Sequence, residues 1–220
     1  LLHGAGSTRS GVLDQAVVLA RHGYGVLLYD ARGHGESGGR AMDFGWAGDD
    51  DVAGAVAFLV RRDDVDPDRI AAVGSSMGGE QAIGAAAADP RITAVVAEGA
   101  TTRVAGDEAW LSEAYGWRGV LQEGVTWATF ALTDLLTSAD RPGTLRDSVA
   151  AAAPRPVLLI AAGDLPDEGH AARHIRSSSP DTVDVWVVPG AGHTDGLDVA
   201  PREWERRVTT FLDRTLDGTA

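Results

Sequence analysis

The stretch Ala71-Ala72-Val73-Gly74-Ser75-Ser76-Met77-Gly78-Gly79 constrains the fold of this chain more than any other. A short apolar run enters Gly-x-Ser-x-Gly, and an Ala-rich segment of helix formers follows at once. That is the layout of a nucleophile elbow with Ser76 at its tip. A residue at such a tip is held in a strained turn, and Gly74 and Gly78 must lack side chains for strand and helix to approach closely. The Ser76 hydroxyl is thereby pushed outward. The pentapeptide alone carries little weight; a strand before it and a helix after it are what the motif requires.

The surrounding sequence alternates strand and helix signals without internal repeats or a low-complexity linker. A helix is predicted from about Ser10 to His22 with Val12, Leu13, Val17 and Leu19 on its apolar side, then a strand over Tyr24-Gly25-Val26-Leu27-Leu28-Tyr29. A second helix is predicted from about Trp46 to Arg62, with further strands at Ile92 to Ala97, Val157 to Ala161 and Val183 to Val188. The closing helix runs from about Pro201 to Leu216, opening on a proline whose missing N–H does no harm there. Strands separated by helices of this length imply a mostly parallel sheet with helices on both faces, and ligands gather at the carboxyl ends of its strands. At 220 residues one domain is expected, built from an N-terminal part (1–101) and a C-terminal part (154–220) of one core. Residues 102–153, rich in aromatics but without a strand signal, read as an inserted helical cap; its bland alternative is a helical patch packed on the core.

A serine hydroxyl is a poor nucleophile until a base takes its proton and a third group orients that base. Of six histidines, His193 follows the last strand in a glycine-rich loop before the last helix, where the chain order Ser, acid, His puts the base. His170 and His174, at helical spacing among arginines, read as a solvated face, and His22 as structural. No metal or cofactor is called for, because no ligand cluster has suitable spacing and the glycines around His34 form no dinucleotide fingerprint. The chain has no cysteine, which excludes a thiolate nucleophile and leaves the redox compartment unread. A net charge of −13 opposes nucleic acid and anionic membranes, leaving small neutral or cationic substrates. No apolar run approaches a membrane span, and no signal peptide is visible. The chain begins without Met on Leu1-Leu2-His3-Gly4, which reads as the end of a buried strand, so the natural N-terminus is expected to lie upstream. Compartment and oligomeric state are not legible, with a cytoplasmic setting the default.

Four segments together resemble the α/β-hydrolase superfamily, in its dienelactone-hydrolase and prolyl-oligopeptidase-like branch. They are His3-Gly4-Ala5-Gly6, Asp30-Ala31-Arg32-Gly33-His34-Gly35-Glu36-Ser37, the Ser76 elbow, and Gly190-Ala191-Gly192-His193. The family's first two strands are absent and its third is cut to its last residues. The resemblance implies that the backbone N–H groups of Ala5 and Met77 form an oxyanion hole, that His3 braces its loop, and that Arg32, His34 and Ser37 belong to a structural loop. It also places the acid after the strand ending at Ala161. Asp164 is preferred for its short connection, Glu168 is close behind, and Glu98, at the end of the preceding strand, can also reach the histidine loop.

The chemistry expected is hydrolysis of a carboxylic ester through an acyl-enzyme. The alternatives are a peptidase or amidase of the same fold, a non-hydrolytic acyltransferase or haloperoxidase-like enzyme, and a binding module that lost catalysis.

Overall fold

In a computed structural model, the protein is described over residues 1–40 and 45–216; the last four residues of the expected C-terminal part lie outside the described residues. Four strands, β1 (Ile70–Ser75), β2 (Ile92–Glu98), β3 (Val157–Ala162) and β4 (Val183–Val188), form a parallel sheet in that spatial order. Before β1 come α1 (Leu13–Arg21) and α2 (Gly48–Leu59); α3 (Met77–Ala88) joins β1 to β2. Between β2 and β3 lie α4 (Leu111–Tyr115), α5 (Trp117–Leu136) and α6 (Leu145–Ala152), and the chain closes through α7 (Pro166–Arg176), α8 (Gly196–Val199) and α9 (Pro201–Leu216).

Both faces of the sheet are covered, so its strands are apolar at nearly every position. Successive side chains point to opposite faces, and the two halves of the core follow that period. Ile92, Val95, Ala97, Val157 and Leu159 pack with Val52, Val56, Ile83 and Ile175 from α2, α3 and α7. Ala94, Val96, Leu158 and Ile160 pack on the other side with Leu19 of α1 and Trp204, Val208 and Phe211 of α9. Leu145, Val149 and Ala152 join the first of these layers, so α6 is part of the main core. Leu13 and Val17, expected on the apolar side of this helix, are exposed instead; Ala16 and Leu19 of α1 are buried, as is Val12 just before it.

The apolar run 24–29 differs from expectation, because it forms no strand ladder among the described residues. A strand is defined by hydrogen-bonded neighbours. Leu2 bridges to Gly74 on the free edge of β1, and the Leu1 nitrogen donates to the Leu27 carbonyl at 2.6 Å. Between the run and Ile70–Val73 lies a groove of about 710 Å³ lined by Leu19, Val26, Leu59 and Val65. No helix among the described residues is long and apolar enough to cross a membrane.

Candidate active site

All four strands end at one edge, and the connections leaving that edge assemble the site. Ser76 follows β1 directly with φ 54° and ψ −125°, a region that L side chains seldom occupy. The turn is held from below, where the Ser76 N–H donates to the Glu98 carbonyl at 2.7 Å. Its glycines are required by contact. A Cβ on Gly74 would stand 2.3 Å from the Gly78 carbonyl oxygen, and one on Gly78 2.5 Å from that of Leu2.

The loop after β4 brings in the histidine. His193 Nε2 lies 2.9 Å from Ser76 Oγ, across 117 residues of sequence. Its other nitrogen, Nδ1, lies 2.6 Å from Glu168 Oε1. A carboxylate accepts, so Nδ1 carries the ring proton and Nε2 is left to accept from the serine hydroxyl. The loops after β3 and β4 are stitched together, with the Gly163 N–H donating to the Val188 carbonyl at 2.8 Å and the Asp164 N–H to the Ala191 carbonyl at 3.1 Å. Gly163 allows that approach, since a Cβ there would meet the Val188 oxygen at 2.4 Å.

The carboxylate at the imidazole is therefore Glu168. The Asp164 side chain, favoured from the sequence, is exposed at the loop tip. The physical reason is the entry into α7. Pro166 opens the helix, the Glu168 N–H donates to the Leu165 carbonyl at 3.0 Å, and the first turn swings the Glu168 side chain back over the end of β3. There Glu168 is 5% exposed, and its second oxygen accepts from the Ala162 N–H at 2.8 Å. The hydrogen bond to Glu168 raises the His193 pKa above its ordinary 6.5, against partial burial of the ring, which lowers it.

Glu98, the third acid candidate, does not meet the imidazole. It accepts from the Gly196 N–H at 2.7 Å and the Trp204 indole N–H at 3.0 Å, joining β2 to the turn after His193 and to α9. Burial pushes its carboxyl above the usual range despite these two donors. The same holds for Glu80, which accepts from the Thr101 and Thr102 amides. Both roles escape a motif search. Their sequence signal is an acid set among apolar and small residues, since a buried carboxylate needs donors.

Gly4 packs against the elbow, where a Cβ would stand 3.2 Å from that of Ser76, and Ala5 follows it in an exposed turn. Met77 is the first residue of α3, so its N–H has no acceptor within the helix. His3 accepts from the Ala31 N–H through Nε2 at 3.0 Å, and its ring lies 5.1 Å from that of His34, which ties the His3 loop to the loop carrying Asp30. Asp30 in turn binds the Arg9 guanidinium at 2.7 Å and the Glu36 N–H at 3.0 Å. Among the described residues no group of three His, Asp or Glu side chains is placed to hold a metal ion.

Comparison with known proteins agrees with this architecture. The chain is 32% identical over 219 residues to an uncharacterized Mycobacterium tuberculosis protein, matched in two strains, covering 97% of this chain and 68% of the relative. The Pyrococcus furiosus esterase Pf2001 superposes with a TM-score of 0.71 at 24% identity, covering 97% of this chain and 80% of that one. The α/β hydrolase GrgF from Penicillium sp. sh18 gives 0.74 at 19% identity, with 98% and 89% covered. NosK from Streptomyces actuosus gives 0.63 at 26%, with 98% and 96% covered. The sequence pattern of the family described as serine aminopeptidase, S33, matches residues 1–142, so the chain belongs to this family of α/β hydrolases.

Proposed function

We infer that the protein is a serine hydrolase that cleaves a carboxylic ester, with Ser76 as nucleophile, His193 as general base and acid, and Glu168 as the orienting acid. The observation that carries this reading is the continuous chain of hydrogen bonds from Ser76 Oγ through both nitrogens of His193 to Glu168. Ser76 Oγ attacks the ester carbonyl as its proton passes to His193 Nε2. The imidazolium that forms is stabilised by Glu168 at Nδ1. The backbone N–H groups of Met77 and Ala5 receive the negative charge that develops on the carbonyl oxygen, a contribution of about 10²–10³ per donor in measured hydrolases. His193 then gives its proton to the departing alkoxide, leaving an acyl group on Ser76. Water repeats the sequence and releases the acid.

The family description favours a second reading, cleavage of an amide at a peptide N-terminus. Such a substrate presents an ammonium group, which calls for an unoccupied carboxylate beside the serine. Among the described residues, the buried carboxylates of this edge, Glu80, Glu98 and Glu168, are each bonded to donors of the protein itself, which favours the ester. The test sets p-nitrophenyl esters of increasing chain length beside aminoacyl p-nitroanilides, with fluorophosphonate labelling of Ser76 read by mass spectrometry. Ester turnover that is lost in Ser76→Ala is the expected result. Faster turnover of the anilides would replace the ester by the amide, and absence of both turnover and labelling would end the hydrolase reading.

A further inference from the structure

Helix α5 spans twenty residues and touches the rest of the protein along a narrow stripe. Gly119, Phe130 and Thr133 are its buried residues, and at about 100° per residue they fall on one side. The opposite side carries two tryptophans and six aliphatic residues between 55% and 78% exposed, with Trp117 at 74% and Leu135 at 78%. Other large apolar side chains of the surface are scattered and need no explanation. This contiguous face is different. Its two tryptophans, taken at about 250 Å² each, expose roughly 350 Å², and the aliphatic residues bring the face to about 800 Å², one partner's share of a stable interface.

We propose that this face is the interface of a homodimer in which α5 of two copies pack antiparallel across a two-fold axis. Three observations select a second copy. A membrane-surface helix is bordered by Lys and Arg, whereas α5 carries one basic residue, Arg118, beside Glu123 and Asp134, on a chain of net charge −13. In a two-fold interface, residues equally distant from the axis meet each other. About the level of Thr126 the face is matched in that way: Trp117 and Leu135 lie nine residues either side, Val120 and Leu132 six, and Gly124 and Ala128 two. The small pair at the waist lets the two helices approach closely, and the large residues at each end, such as Trp117 against Leu135 of the partner subunit, close over the crossing. This proposal does not rest on the chemistry of Ser76.

The test is the mass of the purified protein by sedimentation equilibrium over a concentration series. A dimer is expected, and Leu132→Glu is expected to raise its Kd about 100-fold, since each copy would bury a carboxylate where a leucine packed. Leu132 is 55% exposed, so an unchanged thermal midpoint shows that the fold survives. Because the chain has no cysteine, Trp117→Cys mixed with Leu135→Cys reads the orientation directly. An oxidised heterodimer is expected from the mixture, and little product from either variant alone. A monomer at every concentration overturns the proposal, as does a dimer indifferent to Leu132→Glu. Flotation of the wild type with phosphatidylcholine vesicles, lost in Leu132→Glu, would assign the face to lipid and overturn it as well.

Discussion

Replacing Glu168 by Gln isolates the orientation of the imidazole from every other part of the site. The buried carboxylate serves two donors, the Ala162 N–H at 2.8 Å and His193 Nδ1 at 2.6 Å. An amide has one accepting end. Turned toward His193, its carbonyl leaves an NH₂ facing the Ala162 N–H, two donors opposed at a buried position, at a cost of about 1–3 kcal/mol. Turned the other way, the carbonyl keeps Ala162 and the NH₂ faces Nδ1. The ring proton must then move to Nε2, where it points at Ser76 Oγ and cannot accept from it. The wrong tautomer has lowered kcat by about 10⁴ in a serine hydrolase of unrelated fold, which corresponds to about 5 kcal/mol of transition-state stabilisation. The expected result with a p-nitrophenyl ester is therefore a kcat about 10⁴-fold lower, a KM changed little, and a folded protein by circular dichroism. Ser76→Ala is expected to lose about 10⁶. Asp164→Asn, on an exposed side chain, is expected to change kcat no more than about twofold. The reasoning is refuted if Glu168→Gln keeps more than a tenth of the activity, or if Asp164→Asn shows the large loss in its place.

Three further outcomes follow from the same geometry. The proposed mechanism needs neutral His193, and its pKa is raised by Glu168, so kcat/KM is expected to rise with pH through a midpoint above 6.5. Glu168→Gln removes the cause and lowers the midpoint, as followed by NMR titration of the ring; a wild-type midpoint below 6.5 contradicts the assignment. Gly78→Ala drives a methyl group to 2.5 Å from the Leu2 carbonyl and is expected to destabilise by about 1–3 kcal/mol, at roughly 2–4 °C of Tm per kcal/mol. An unchanged Tm by calorimetry would mean that the elbow is not packed this way. Glu98→Gln leaves either Gly196 or Trp204 with an unpaired buried N–H, for about 1–3 kcal/mol, while kcat falls far less than in Glu168→Gln. Equal stability of variant and wild type would remove Glu98 from its structural role.

Local pattern was enough to read the elbow, the histidine loop and the four ladder-forming strands, because each depends on neighbours in sequence. Ser76 needs glycines two residues either side, and His193 needs a flexible loop after a strand. The choice of acid was of another kind. Glu98 ends β2, and Asp164 and Glu168 follow β3 within a few residues, so all three belong to one edge of the sheet, and nothing within a few residues of any of them says which reaches Nδ1. That depended on the helical start at Pro166, on the stitching of the loops after β3 and β4, and on which donors claimed Glu98 first. The run 24–29 shows the same limit from the other direction, since its composition suits a strand but a ladder is a property of pairs. Chain order and apolar period thus determined the helices, the four ladder-forming strands and the sheet edge to which Ser76, His193 and the candidate acids belong. Only tertiary structure decided which carboxylate meets the imidazole, and which face of α5 is left uncovered, because both are settled by contacts between segments tens of residues apart.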